Sequence, residues 1–258
     1  MKNKELVVIL PAYNEEKDVE RLVKRWEELK KDIFDRYALE LKIIVVNDGS
    51  TDHTKSICKQ LESTYEDFEL VDHIQNQGLG RAVETGFMHV MENEEACQYI
   101  CVMDCDNTQD PKYIMSMLDK MTGKAHIDVV IASRYQKGAK VYGLAKYRQL
   151  TSEGARVVYQ SILRVKNVRD YTCGYRLYRK TMLEAATTTY GKGWITQRGF
   201  TCMTEILYKL YCVGAVFAEV PFQLHYDYKQ GKSKMKVFKT AKDSIALAFR
   251  LRREHRKR

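Results

Sequence analysis

A chain of 258 residues, 45% apolar and 30% charged, is long enough to bury one large core, and no Pro/Gly/Ser-rich linker, low-complexity tract or internal repeat divides it. Seven cysteines without paired C-x-x-C spacing read as reduced thiols of a cytosolic protein, no signal peptide is expected at Met1-Lys2-Asn3-Lys4, and no apolar stretch approaches the roughly 20 residues that span a bilayer. The net charge of +9 is confined to the tail, where Lys232 to Arg258 holds eleven Lys/Arg against two acids, and the absence of an aromatic stacking platform argues against nucleic acid as its partner.

In chain order, short apolar runs alternate with helical patterns. Leu6 to Leu10 predicts a strand, and Glu15 to about Lys30 a helix with Val19, Leu22, Val23, Trp26 and Leu29 on one face. Leu41 to Val46 is a second strand, and Asp48-Gly49-Ser50-Thr51 a turn feeding a helix that ends near Leu61. Phe68 to Val71, Tyr99 to Met103 and Ile127 to Ala132 are further strands, separated by helices over Gly80 to Met91 and Pro111 to Met121. This alternation predicts an α/β fold, a mostly parallel sheet covered by helices on both faces, with ligands collecting at the carboxyl ends of the strands. Pro11 to Asn14, Asn47 to Ser50 and Asp104 to Asp106 all fall at such ends, so three polar clusters should meet in one crevice.

The second half is less regular. Tyr147 to Leu163 and Phe200 to Cys212 read as helices, Gly174 to Tyr178 and Ala215 to Pro221 as strands, and Tyr226 to Lys236 as a loop rich in Lys and Gly. Beyond it, Val237, Phe238, Ala241, Ile245, Ala248 and Phe249 form one stripe of a basic amphipathic helix, which can dock on the domain or lie on an anionic membrane surface. The expected division is a catalytic domain over residues 1–230 and a basic loop and helix over 231–258.

Asp104 and Asp106 carry the most chemistry. Two carboxylates this close repel by a few kcal/mol at surface-like dielectric, and a cation between them relieves that. Hard oxygen ligands suit Mg²⁺ or Mn²⁺, which take one or two carboxylates together with substrate phosphates, so the pair implies a metal bridging protein to a diphosphate; the alternative is a solvated turn. Asp48 can accept hydrogen bonds from a base or ribose, or serve as turn and helix cap. Gly78 and Gly80 can admit a close backbone approach to a ligand at a helix N-terminus, without forming a dinucleotide fingerprint. Arg134, Arg169 and Arg176 present the fixed fork of donors suited to phosphate, with surface or structural ion pairs as the alternative.

Taken in order, Pro11-Ala12-Tyr13-Asn14-Glu15, Asn47-Asp48-Gly49-Ser50-Thr51-Asp52 and Met103-Asp104-Cys105-Asp106 resemble the motifs of family-2 nucleotide-sugar glycosyltransferases. Gly78-Leu79-Gly80-Arg81-Ala82, Ala132-Ser133-Arg134-Tyr135, Arg169 to Arg176, Glu219-Val220-Pro221 and Gly231 to Met235 are similar to the dolichol-phosphate mannose synthase type within it. The resemblance covers nearly the whole chain and implies a GT-A fold and inverting, metal-dependent transfer of a hexose from a nucleotide diphosphate sugar to a polyprenyl phosphate. It implies donor contacts from Pro11, Tyr13, Glu15, Asn47, Asp48, Gly80, Asp104 and Lys234, the last as part of a lid. It further implies a metal on Asp104 and Asp106, catalytic roles for Asp106, Arg134 and Arg169, and acceptor contacts from Arg134, Arg156, Arg169, Cys173 and Arg176. The basic helix would then place the protein peripherally at the cytoplasmic membrane face.

The acceptor half departs from the pattern. Cys173 stands where a serine is common, Ser152-Glu153-Gly154 puts an acid where an arginine is usual, Tyr228 replaces another arginine, and Asn107-Thr108-Gln109 follows the metal motif in place of an apolar residue and one polar ligand. Arg156 or Arg148 can compensate from a neighbouring helical turn. If the acceptor were instead a sugar hydroxyl, a base would be required, and Glu205 is the candidate. A third possibility is a catalytically idle nucleotide-sugar-binding membrane adaptor.

Overall fold

The computed structural model describes residues 4–144, 146–228 and 237–255. Its centre is a sheet of seven strands, β1 (Lys4–Ala12), β2 (Leu39–Asn47), β3 (Phe68–Asp72), β4 (Cys97–Val102), β5 (Val129–Ser133), β7 (Arg176–Arg179) and β8 (Phe217–Pro221), in the order β3-β2-β1-β4-β7-β5-β8. All neighbours are parallel except β7, which runs antiparallel to both β4 and β5. The registers place Val8 beside Ile43 on one side and Cys101 on the other. Leu6 to Leu10 and Ile43 to Val46 are wholly buried, as continuous apolar runs must be in a sheet covered on both faces. The helices between the strands are α1 (Val19–Tyr37), α2 (Thr54–Thr64), α3 (Leu79–Asn93) and α4 (Tyr113–Thr122).

Helix α1 begins four residues later than its apolar period suggests. The Asn14 N–H donates to Ser50 Oγ and the Glu15 N–H to Thr54 Oγ1, with Asn14 at φ 54°, so residues 14–16 are tied to the loop after β2 and cannot enter the helix. It also runs on to Tyr37, because Ile33 extends the buried face and the Tyr37 hydroxyl donates to Met115 O of α4. Helix α6 (Lys180–Tyr190) has no clear signal in the sequence: only Leu183 and Ala186 are fully buried, and a run of three threonines masks the period. A second, two-stranded parallel sheet pairs β6 (Lys140–Tyr142) with β9 (Gln223–His225), where Tyr142, His225 and Tyr228 stack with ring centroids 4.6 and 4.5 Å apart.

Helix α8 (Val237–His255) packs on α5 (Lys146–Leu163) and α7 (Cys202–Cys212). Its inward face differs from the expected stripe. Ser244, Leu247, Ala248 and Leu251 are buried, whereas Ile245 and Phe249 are 45% and 61% exposed. The 244-247-248-251 spacing is itself helical, and its small residues Ser244 and Ala248 let the helix approach closely, so this face wins the packing. No described helix is long and apolar enough to cross a membrane. Six of the seven cysteines are buried, and Cys212 is partly exposed.

Candidate active site

The strand directions explain how distant residues reach one place. The parallel strands β1, β2, β3, β4 and β5 deliver their following loops to the same rim, and antiparallel β7 brings its preceding segment, 172–174, to that rim as well. A cleft of about 390 Å³ opens there, lined by Pro11, Tyr13 and Glu15 after β1, Asp48 after β2, Asn76 and Gly78 after β3, Asp104 to Asp106 with Thr108 and Gln109 after β4, and Arg134 after β5. The expected convergence of three polar clusters is thus seen for Pro11, Asp48 and Asp104/Asp106.

The acidic loop is held from several sides. Asp106 Oδ1 accepts from Thr108 Oγ1 at 2.6 Å and Thr108 N at 3.2 Å, closing a tight turn. Asn107 is buried in a left-handed conformation, its amide donating to Asp18 O at 2.8 Å, and Arg25 pairs with Asp110 at 2.9 Å on the same loop. Gly174 packs directly against Asp104: a Cβ there would lie 2.9 Å from the carboxylate oxygen. Gln109 Nε2 donates to Asp104 Oδ2 at 2.9 Å, which leaves Gln109 Oε1 buried without a hydrogen-bond partner. Asp104, Asp106 and Gln109, with its orphaned oxygen, line one cleft and offer oxygen ligands, the donor chemistry that suits Mg²⁺ or Mn²⁺. Cys105, between the two acids, does not compete as a thiolate, since burial pushes its pKa well above the usual value.

A second group with both carboxylate and imidazole ligands, Glu69, His89 and Glu94, lies outside the cleft. There the Lys42 ammonium already bridges Glu69, at 3.0 Å, and Glu94, so the cluster is closed as a salt-bridge network.

Arg134 forms the opposite bank. Its Nε donates to Asp170 Oδ2 at 2.8 Å, and its Nη2 to Asp170 Oδ1 and Thr172 Oγ1 at 2.6 Å each. Asp170 has no exposed surface; burial raises its carboxyl pKa, but the charge and hydrogen bonds of Arg134 outweigh this and hold it below the ordinary value. Cys173 lines the cleft as a neutral thiol, its pKa pushed up to about 12 by burial.

Several residues singled out from sequence are placed elsewhere. Arg176 is buried inside the core, donating to Met203 O at 2.6 Å and Tyr171 O at 2.9 Å, where it ties β7 to α7 and cannot meet an acceptor. Glu205 is 1% exposed, its carboxylate accepting from Thr196 N, Thr196 Oγ1, Gln197 N and Lys209 Nζ, all within 2.8 Å, so it is an anchor and not a free base. Arg169 is exposed outside the cleft, contacting Tyr135 O at 3.4 Å. Arg156 pairs with Glu153 on α5 and stacks over Tyr135, while Thr151, Ser152, Ala155 and Tyr159 present the cleft-facing side of that helix. Asn47 is buried behind the rim with its amide on Asp72 Oδ1 at 2.6 Å. Asp48 does face the cleft while serving as a turn anchor, accepting from Gln77 N and Gly78 N at 2.8 Å each, with His73 Nδ1 2.9 Å away. Lys234 lies outside the described residues.

Gly80 serves packing between protein segments and not approach to a ligand. A Cβ at Gly80 would sit 1.8 Å from Gln197 O, and the Gly80 N–H donates to Arg198 O at 3.1 Å. Gly80→Ala is expected to lower stability by about 1–3 kcal/mol through overpacking, read as a lower midpoint in urea denaturation. Arg198 and Gln109 are cleft residues that the sequence reading did not assign: Arg198 precedes a helix without any motif around it, and Gln109 was visible only as a departure from a pattern.

The chain has relatives of known naming. It is 31% identical over 230 residues to a dolichol-phosphate mannosyltransferase of Pyrococcus furiosus, covering 89% of this chain and 58% of that protein. It is 27% identical to a polyprenol monophosphomannose synthase of Mycolicibacterium smegmatis, covering 89% of this chain and 80% of that protein. Among solved structures, it superposes on the mannosyltransferase PcManGT from Pyrobaculum calidifontis, in complex with GDP-Man and Mn²⁺, with a TM-score of 0.63 at 16% identity, over 97% of this chain and 65% of that one. It likewise superposes on glucosyl-3-phosphoglycerate synthase from Mycobacterium tuberculosis with a TM-score of 0.62 at 15% identity, over 96% of this chain and 80% of that one. These likenesses bear out the GT-A fold. The chain spans 58% of the archaeal relative's length. With the profile of glycosyl transferase family 2 matching residues 7–186, this chain belongs to that family.

Proposed function

We propose that the protein transfers a hexose from a nucleotide diphosphate sugar, of the GDP-mannose or UDP-glucose type, to a polyprenyl phosphate, with inversion at the anomeric carbon. The observation that carries this reading is the meeting, in one cleft, of the Asp104/Asp106/Gln109 oxygen set with the guanidinium of Arg134. The names of the archaeal and mycobacterial relatives support a polyprenol-type acceptor, and the GDP-Man and Mn²⁺ in the Pyrobaculum neighbour support the donor class. A Mg²⁺ or Mn²⁺ ion held by Asp104 and Asp106 would neutralise charge growing on the departing nucleoside diphosphate.

The remaining chemistry belongs to the side chains. Pro11, Tyr13 and Asp48 line the end of the cleft suited to the nucleoside, and Asp48 keeps lone pairs for ribose or base while anchoring the 77–78 backbone. Arg134, oriented by buried Asp170, faces the acceptor phosphate. That phosphate is already an anionic nucleophile, so the reaction needs orientation more than a base. The engagement of Glu205 by four donors weighs against a neutral hydroxyl acceptor, which would need that base.

We assign the transfer to residues 1–230 and membrane contact to the basic segment 231–258. The exposed Ile245 and Phe249 of α8, with Arg250, Arg252 and Arg253 close by in sequence, suit a peripheral position at the cytoplasmic membrane face. Incubation with labelled GDP-mannose or UDP-glucose, Mn²⁺ and polyprenyl phosphate should move label into the organic phase, and chelation by EDTA should stop it. Label found only in water-soluble product would exclude the lipid acceptor.

A further inference from the structure

We infer that Arg198 is a phosphate-binding residue of the cleft, taking an oxyanion of the bound substrate. The inference deepens the proposed transferase reading and rests on it. Charge sets the problem. Among the described residues lining the cleft, Glu15, Asp48, Asp104 and Asp106 are acids, and only Arg134 and Arg198 are cationic. Arg134 is paired with fully buried Asp170, so the pair adds little net positive charge to the cleft. Arg198 is exposed and its guanidinium has no hydrogen-bond or ion-pair partner among the described residues.

A lone surface arginine would be unremarked, but the backbone that carries this one is fixed from two sides. The Arg198 carbonyl accepts from Gly80 N at 3.1 Å, where α3 begins. Gly78 and Gly80 leave room for the segment, since a Cβ on either would collide with Arg198 O, at 2.6 Å, or Gln197 O, at 1.8 Å. From below, the buried Glu205 carboxylate accepts from both Thr196 N and Gln197 N at 2.8 Å. A fixed backbone carrying an unmatched guanidinium at the wall of an acidic cleft restricts where its planar fork can reach. Charge-assisted bonds to phosphate oxygens are the pairing that fork is built for. The phosphate can belong to the donor's diphosphate or to the acceptor's monophosphate; both present the same oxyanion.

The experiment compares Arg198→Ala and Arg198→Lys with the unaltered full chain. Isothermal titration with GDP and UDP in the presence of Mn²⁺ reads the donor arm, and KM for polyprenyl phosphate in detergent reads the acceptor arm. One of the two affinities should fall by about tenfold to a hundredfold in Arg198→Ala and recover in part in Arg198→Lys, with thermal unfolding unchanged. Loss of nucleotide affinity assigns the donor phosphates, and a raised KM for the lipid assigns the acceptor phosphate. Wild-type values on both arms in Arg198→Ala overturn the inference. Failure of the underlying reading is separate: it would appear as no lipid-phase product from the unaltered chain, and a nucleotide affinity lost in Arg198→Ala would still uphold the phosphate role in that case.

Discussion

Asp106→Ala is expected to reduce sugar transfer by at least about 10³-fold at saturating donor and Mn²⁺, because charge neutralisation at a leaving diphosphate is worth several kcal/mol and each 1.4 kcal/mol is a factor of ten in rate. The structural cost is smaller. Asp106 Oδ1 accepts two bonds from Thr108, and losing them in a partly exposed turn costs about 1 kcal/mol. Asp106→Asn separates the two effects, since an amide oxygen can still close the Thr108 turn while the charge is gone. Both variants should show weakened Mn²⁺ binding by titration, with unfolding midpoints close to wild type for Asp106→Asn. A wild-type kcat in Asp106→Asn would mean that the carboxylate is not needed in transfer, and the metal-bridged reading would have to be abandoned.

Strands β1, β2, β4 and β5 were legible because a parallel sheet buries them on both faces, which forces unbroken runs such as Leu6 to Leu10. Their rim positions followed directly, and Asp48, Asp104, Asp106 and Arg134 do line the cleft. The strand β7 was legible as a short strand over Gly174 to Tyr178, but nothing local records that it inserts backwards between β4 and β5. That insertion decides the fate of the Arg169 to Arg176 segment. It draws Thr172 to Gly174 to the rim, while Arg176, the first residue inside the strand, goes into the core against carbonyl oxygens of α7 and of its own loop. An arginine reads as a ligand for phosphate in sequence; whether it meets a phosphate or a backbone carbonyl is set by tertiary contacts. Glycines are ambiguous in the same way, since Gly80 and Gly174 both permit close approach, the first of a protein carbonyl and the second of a carboxylate in the cleft. The small sheet of β6 and β9 joins three-residue strands more than 80 residues apart, and neither has enough length to show a period.

Asp170→Asn is the second change with a large expected effect, and it acts on stability and activity together. The Asp170 carboxylate accepts from Arg134 Nε, Nη2 and backbone N and from Cys173 N, with no surface exposed to water. Removing its charge leaves the Arg134 guanidinium, only 13% exposed, without its counter-ion. Breaking a buried pair in this way costs about 3–5 kcal/mol, a large part of the stability of an ordinary domain. The pH dependence has a definite sign. Although burial opposes ionisation, the folded-state pKa of Asp170 lies below its unfolded value, so the unfolded chain takes up the proton first as pH falls. The stabilisation is therefore complete above the unfolded pKa of about 3.9 and drains away as pH drops through the lower folded value. Urea denaturation at pH 7 should show the full deficit of Asp170→Asn, and a series from pH 5 downward should show wild type losing stability more steeply than the variant until the two curves approach. Parallel acid limbs would mean that Asp170 does not titrate with folding. Activity should fall with stability restored by saturating nucleotide, because Arg134 loses the partner that aims it at the cleft, and a raised KM for polyprenyl phosphate with an unchanged affinity for nucleotide would locate that loss at the acceptor.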